Sequence, residues 1–424
     1  MKPTLALARL QSGRRPFLLE SGSDADGCGR FSFAGCDPVA TLEWRLGDPG
    51  DPFDLLAGTP NPYIAVGYLG YGLAKVVEPR VPAQPDPHGL PELAFAFYDA
   101  CWRLDHLTGR AEILGPGADA LRARLDAPAR RPAPLHAGPL RLTTRREDYE
   151  RRLSRLLEYI HAGDVYQMNL THALEADLFS DPFALFCAVR RFEAPFGAFV
   201  DLGDDRALVA NSPERFLARM ERHVESRPIK GTRPLGGAAE LGADEKECAE
   251  HVMIVDLVRN DLGRVCRTGS VRVDGLRRVV RYPTLHHMIS TVRGVLREGV
   301  GTADLLRATF PGGSITGAPK VRAMELIAEL EPRARGVYTG AIGRIGPGDT
   351  LDLAMAIRTA VCVRTRISLG IGGGIVADSR PDAEWRESLL KARAFERALS
   401  GYDSPMHDRD PIRNDGDVHL NRRA

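Results

Sequence analysis

From residue 149 to residue 160, apolar side chains recur at Tyr149, Leu153, Leu156, Leu157 and Ile160, a spacing that lines one face of an α-helix. Thr144 followed by Glu147 predicts a capping box at its start, and Gly163 a glycine stop at its end. Just beyond, the period changes. Over residues 165–172, Gln167, Asn169 and Thr171 alternate with Tyr166, Met168 and Leu170, which predicts a strand with one wholly polar face. Such a face borders either solvent or a polar cavity, and solvent is the commoner neighbour. Further strands are predicted over 63–72, 93–99 and 196–202, with a hairpin over 215–226. Helices are predicted over 244–261, 319–331 and 381–399, the last two opening on proline. Strands between 338 and 377 interleave with them.

Residues 1–126 read as short strands broken by glycine, proline and aspartate. A proline-rich connector occupies 127–140, a long mixed region 141–400, and a polar tail 401–424 that is expected to be disordered. This order is α+β rather than a regular βαβ alternation, and no internal repeat is visible.

Composition narrows the class. Hydrophobic and charged contents of 43% and 27% are those of a globular protein. A net charge of +1 argues against a nucleic-acid or membrane-surface partner. The seven cysteines are odd in number and contain no Cys-x-x-Cys, which suits reduced thiols in a cytoplasmic protein. The apolar run at the N-terminus is too short for a signal peptide, and no stretch approaches the ~20 residues of a membrane span.

Only six of the 57 basic residues are lysine, and two of those, Lys230 and Lys320, sit at glycine/proline corners. A buried lysine can lose its proton and act as base or nucleophile, whereas arginine stays charged. Two predicted helices carry Glu-x-x-Glu pairs, Glu247/Glu250 and Glu384/Glu387. Like charges at that spacing repel by ~0.2–0.5 kcal/mol, which a solvated face tolerates. Alternatively, one glutamate from each of two facing helices would suit Mg²⁺, which takes one or two carboxylates and an anionic substrate.

Neither glycine-rich stretch is a nucleotide loop. Residues 311–320 lack the Gly-Lys-Ser/Thr of a phosphate-binding loop, and 370–375 lack the last glycine of a dinucleotide fingerprint. Both leave backbone N–H groups that could bind carboxylates, or are simply turns. Glu214 is a candidate general acid or a polar strand end. His287 is a candidate ligand contact or a satisfied core histidine. Arg358, in an apolar setting, needs an anionic partner from protein or substrate.

Together these segments resemble the chorismate-utilising enzymes. The matching pieces are Tyr166-Gln167-Met168-Asn169-Leu170, Ser212-Pro213-Glu214-Arg215-Phe216, Pro228-Ile229-Lys230-Gly231-Thr232, and residues 254–261, 312–320 and 372–379, running on to Lys391. The resemblance implies an α+β fold of the anthranilate synthase component I type, a large antiparallel β-sandwich flanked by helices. Lys230 makes the chain similar to the aminodeoxychorismate synthase component I branch, where anthranilate synthases usually carry alanine. Gln167 stands where isochorismate and salicylate synthases have a water-activating lysine. Leu18-Leu19-Glu20-Ser21 resembles instead the segment by which anthranilate synthases bind inhibitory tryptophan, which marks Leu19, Glu20 and Ser21 as an effector-site candidate.

Carried over, the resemblance implies that Glu250 and Glu387 hold Mg²⁺, with Glu247 and Glu384 around it. Gly231, Thr232, Ser314 and Lys391 would help orient the ring carboxylate end of chorismate, and Gln167 would be a further substrate contact. Tyr338, Arg358 and the amides near Gly372 and Gly374 would bind the enolpyruvyl carboxylate. Glu214 would protonate the C4 hydroxyl near His287, and Lys230 would attack C2 before ammonia enters at C4. The chain has no Gly-x-Cys-x-Gly nucleophile segment, so ammonia is expected from a separate glutamine amidotransferase subunit or from solution.

Overall fold

The strand Gln167–Asp177 pairs along its length with Arg366–Ile375, Asp177 opposite Arg366 and Met168 opposite Ile375. The computed structural model in which this pairing is seen describes residues 1–22, 28–60, 62–84, 86–282 and 285–401, without the side chains of residues 234, 246 and 285. The polar tail lies almost wholly outside the described residues.

Among the described residues the strands form two antiparallel sheets, of eleven and ten strands. In the larger, Gly317–Ala318, Gln167–Asp177, Arg366–Ile375, Thr359–Val363, Arg206–Ser212, Phe196–Gly203 and Phe17–Glu20 follow one another. In the smaller, Ile229–Pro234, Leu285–Val295, His223–Arg227, Arg215–Met220, Thr350–Met355, Ala341–Gly346 and Ile64–Leu69 do so. Strands from both sides of the proline-rich connector share both sheets.

Apolar residues of the two inner faces interlock. Phe17, Val200, Leu208 and Val361 from one sheet pack with Val66, Tyr68, Tyr98 and Ile342 from the other. The rings of Phe17 and Tyr98 lie 4.7 Å apart, centroid to centroid. Each such fully buried side chain stabilises the sandwich by roughly 1.5–3 kcal/mol. Helices cover the flanks. Arg146–His161 buries Tyr149, Leu153, Leu156 and Ile160, the face that its period predicts. Pro182–Val189 sets Phe183 and Phe186 against Phe199. None of the described helices is long and apolar enough to cross a membrane.

Three local expectations change. The capping box at Thr144 is not formed: the helix begins at Arg146 with no side-chain cap. The residues before it are used by the sheet instead, Leu142 pairing with Leu174 and Thr143 Oγ1 donating to the carbonyl of Ala173. Gly163 does stop the helix, with φ +85°. Second, the predicted helix 381–399 is two, Pro381–Leu390 and Arg393–Ser400. Tight turns at Lys391 and Ala392 separate them, donating to Ser388 and Leu389. The second helix thereby buries Phe395 while the Lys391 amine reaches back to the carbonyl of Gly372. Third, the N-terminal region holds helices among its strands, including Pro3–Leu10 and Ala118–Asp126.

Candidate active site

The polar face of Gln167–Asp177 is buried at Gln167 and Thr171 rather than open to solvent. Gln167 is 0% exposed, yet its amide oxygen and nitrogen have no partner, and neither does Asn169 Oδ1. Unpaired buried polar atoms are costly, so a site with several of them is shaped for something it has yet to bind. They converge on Gly374, opposite Asn169 in the sheet. A Cβ there would lie 2.4 Å from Gln167 Nε2, 2.7 Å from Lys230 Nζ and 3.1 Å from Asn169 Oδ1. A methyl group there would displace the ends of these three side chains.

Lys230 comes from the edge strand Ile229–Pro234 of the other sheet, paired with Met288. Burial pushes its pKa down, while Glu250, Glu214 and Glu387 pull it partly back. The carboxyl of Glu214 is 5% exposed and is pushed up to about 7 by burial, against the lowering effect of the Ser314 hydroxyl and the Lys230 charge. Ser314 Oγ donates to Glu214 Oε1 at 2.6 Å, and Asn169 Nδ2 donates to the Ser314 carbonyl at 3.0 Å. A carboxyl that titrates at about 7 thus acts on an amine whose pKa burial lowers, an arrangement suited to acid-assisted addition.

The carboxylates gather from two helices. Glu250 lies on Glu245–Gly263 and Glu387 on Pro381–Leu390. Both carboxylates raise the Lys230 pKa against its burial, which places them within electrostatic reach of that amine. Glu247 is held by Arg233 at 3.2 Å, close to Gly231, and Glu384 accepts from Ser379 Oγ at 2.7 Å. Lys391 Nζ lies 3.0 Å from Glu387 Oε1 and donates to Gly372 O at 2.7 Å. A Cβ on Gly373 would sit 3.5 Å from Glu384 and 3.9 Å from Glu387. Among the described residues no three or more His, Cys, Asp or Glu side chains form a closed metal cage. Carboxylate oxygens from two helices are of the hard donor type that suits Mg²⁺, which leaves positions for water and an anionic ligand.

At the far side His287 Nδ1 meets Thr232 Oγ1 at 2.9 Å, and burial holds the imidazole down to about 3, hence neutral. Arg358 acts on His287 and stands at φ +47°. Burial lowers its pKa, and among the described residues no carboxylate raises it back. A guanidinium enclosed in this way is a seat for an anion. The Tyr338 ring packs over Gly370, 2.2 Å from where a Cβ would stand.

Two candidates lie elsewhere. Lys320 serves structure: its amine donates to Asp261 Oδ2 at 2.5 Å and to Pro311 O at 3.0 Å. Leu19, Glu20 and Ser21 stand at and just after Phe17–Glu20, with three strands between it and Arg366–Ile375. Glu20 is locked to Arg190 at 2.6 and 2.8 Å, and Ser21 Oγ donates to Phe31 O. Asn169 belongs to the site although it was not among the sequence candidates; its place on the face of Gln167 was the available signal.

Comparison with known proteins agrees with this geometry. The family described as chorismate binding enzyme matches residues 41–397. Anthranilate synthase component 1 of Streptomyces coelicolor is 39% identical, over 94% of this chain and 86% of that relative. Aminodeoxychorismate synthase component 1 of Bacillus subtilis is 34% identical, over 92% of each. Among solved structures, anthranilate synthase component I of Streptococcus pneumoniae superposes with a TM-score of 0.78 at 30% identity, covering 87% of this chain and 92% of that one. An α+β fold shared with this structure, and a family match over most of its length, make the chain a member of the chorismate-binding enzymes.

Proposed function

We propose that this protein is the chorismate-aminating component of an aminodeoxychorismate synthase, converting chorismate and ammonia to 4-amino-4-deoxychorismate. The observation that carries this reading is the Lys230 amine, lowered in pKa by burial and set against Gly374 beside Gln167 and Asn169. Glu214 protonates the C4 hydroxyl, which leaves as water. Lys230 forms a C–N bond at C2 as the ring double bonds shift toward C4. Ammonia then bonds to C4, the double bonds shift back, and the C2–lysine bond breaks. Glu214 takes up the proton that the incoming nitrogen gives up, which restores the acid.

Lys391, Thr232, Gly231 and Ser314 orient the ring carboxylate end. Arg358, Tyr338 and the backbone near Gly372 and Gly374 bind the enolpyruvyl carboxylate. Glu250 and Glu387 would hold Mg²⁺, with Glu247 and Glu384 around it; bound there, it would neutralise the ring carboxylate. Ammonia comes from a separate glutamine amidotransferase subunit or from ammonium salts, in keeping with the component 1 names of relatives.

A second reading is anthranilate synthase component I, amination at C2 with loss of pyruvate. The 39% identical Streptomyces relative and the Leu19-Glu20-Ser21 segment, with tryptophan as effector, favour it. Incubating the chain with chorismate, Mg²⁺ and ammonium, then separating products with and without an added aminodeoxychorismate lyase, tests the choice. 4-Aminobenzoate appearing only with the lyase supports the proposal, and 2-aminobenzoate as main product overturns it. Lys230→Arg keeps the charge but cannot supply a neutral amine, and is expected to lose at least about 10³-fold in turnover.

A further inference from the structure

The strand Gln167–Asp177 has an incomplete outer edge. Gly317–Ala318 pairs with Met168 and Gln167, and Arg141–Leu142 with Glu175 and Leu174. Between them, among the described residues, no strand bonds the backbone of Asn169 and Thr171 on this side, apart from Asn169 N–H donating to Thr316 O. A side-chain pair does so. Arg335 Nη2 donates to Asn169 O at 2.9 Å, and Thr171 N–H donates to Glu331 Oε1 at 2.9 Å. Acceptor and donor groups are thus matched as a neighbouring strand would match them.

Every N–H of the Arg335 guanidinium is used. Nε and Nη2 grip Glu331 at 2.8 and 2.7 Å, Nη1 reaches Ile315 O at 2.8 Å and Thr339 Oγ1 at 3.4 Å, and Nη2 also holds Asn169 O. The side chains of Arg335 and Glu331 are 1% and 2% exposed, and the guanidinium lies 4.7 Å from the Tyr71 ring centroid. Ile315 adjoins Ser314, and Asn169 Nδ2 bonds the Ser314 carbonyl. Ser314 is therefore held from two sides by groups that Arg335 fixes.

We infer that Arg335, anchored by Glu331, is a positioning residue for the reaction, setting the Ser314–Glu214 hydrogen bond through the carbonyls of Ile315 and Asn169. This rests on the reading of Glu214 as the acid. A bidentate fork is required for it: lysine would keep the charge opposite Glu331 but could not span Glu331 and two carbonyls.

The test uses the full chain carrying Arg335→Lys or Glu331→Gln, the second retaining an acceptor for Thr171 N–H. For Arg335→Lys, kcat is expected to fall about 10²-fold, the scale of a ~1 Å misplacement, with KM for chorismate little changed. The alkaline limb of kcat/KM should move to higher pH, because the Ser314 bond lowers the Glu214 pKa and would be weakened. Glu331→Gln should shift both in the same direction by less. Hydrogen exchange on the substrate-free protein provides a readout independent of the reaction: the amides of Asn169 and Thr171 should exchange at least about tenfold faster in Arg335→Lys. Faster exchange with a wild-type limb and kcat overturns the positioning role, as does unchanged exchange. If wild type gives no C4 amine, the amination reading fails, and exchange still decides the edge geometry. Should Arg335→Lys not fold, Glu331→Gln carries the same comparisons.

Discussion

Ser314 Oγ donates its proton to Glu214 Oε1 across 2.6 Å, and that contact opposes the burial that lifts the Glu214 carboxyl to about 7. The acid therefore loses its proton near neutral pH, and the rate should fall on the alkaline side of that value. Ser314→Ala removes the opposing contact, so the alkaline limb should move upward, measured as kcat/KM against pH. A limb that stays or moves down would detach Glu214 from it.

The same shift has a stability consequence. Glu214 binds its proton more tightly folded than unfolded, so its contribution is complete below the ordinary carboxyl range. It is lost as pH rises toward about 7. Glu214→Gln, inactive as an acid, should lose less stability than wild type between pH 4 and pH 8. The difference should be on the order of 3 kcal/mol by denaturant titration at the two pH values.

Glu250→Gln and Glu387→Gln each keep side-chain volume while removing a charge from the proposed Mg²⁺ site. Turnover should vanish or need at least about tenfold more Mg²⁺, with the thermal midpoint in metal-free buffer nearly unchanged. Normal activity in limiting Mg²⁺ would exclude the two-helix site. His172→Ala should produce a milder form of the same defect. His172 bonds Ser388 Oγ at 2.8 Å and stacks on Trp385 at 4.9 Å, which docks the helix bearing Glu384 and Glu387.

Gly374→Ala places a methyl group among Gln167 Nε2, Lys230 Nζ and Asn169 Oδ1. The ends of those side chains can yield, so the fold should survive, but the amine must move. A loss of about 10²-fold in kcat with an intact melting transition is expected.

Lys320→Met should behave in the opposite way. It leaves the Asp261 carboxylate, whose side chain is 8% exposed, without its partner. A loss of about 3–5 kcal/mol in stability is expected. Activity per folded molecule, measured at low temperature against active-site concentration, should remain near wild type. A selective loss of turnover would return Lys320 to the chemistry.

Local pattern was enough to identify the helix over Tyr149 to Ile160, the alternation through Gln167, Asn169 and Thr171, and the paired glutamates. Each depends on which way neighbouring side chains point, and backbone geometry within one element decides that. The antiparallel sandwich followed from the family resemblance, which the motifs around Lys230 and Glu214 carried. Whether the polar face met water or protein was beyond any local pattern, because Lys230 on Ile229–Pro234, distant in sequence, comes up against Gln167 and Gly374. The same holds for Lys230 and Lys320, two lysines at similar corners. One faces Gly374 and the other is sealed against Asp261. Arg335 and Glu331 gave no sequence signal at all, since their role exists only where a sheet edge lacks a strand. Burial and hydrogen-bond partners are non-local quantities, and they decided here which charged residues serve chemistry and which serve the fold.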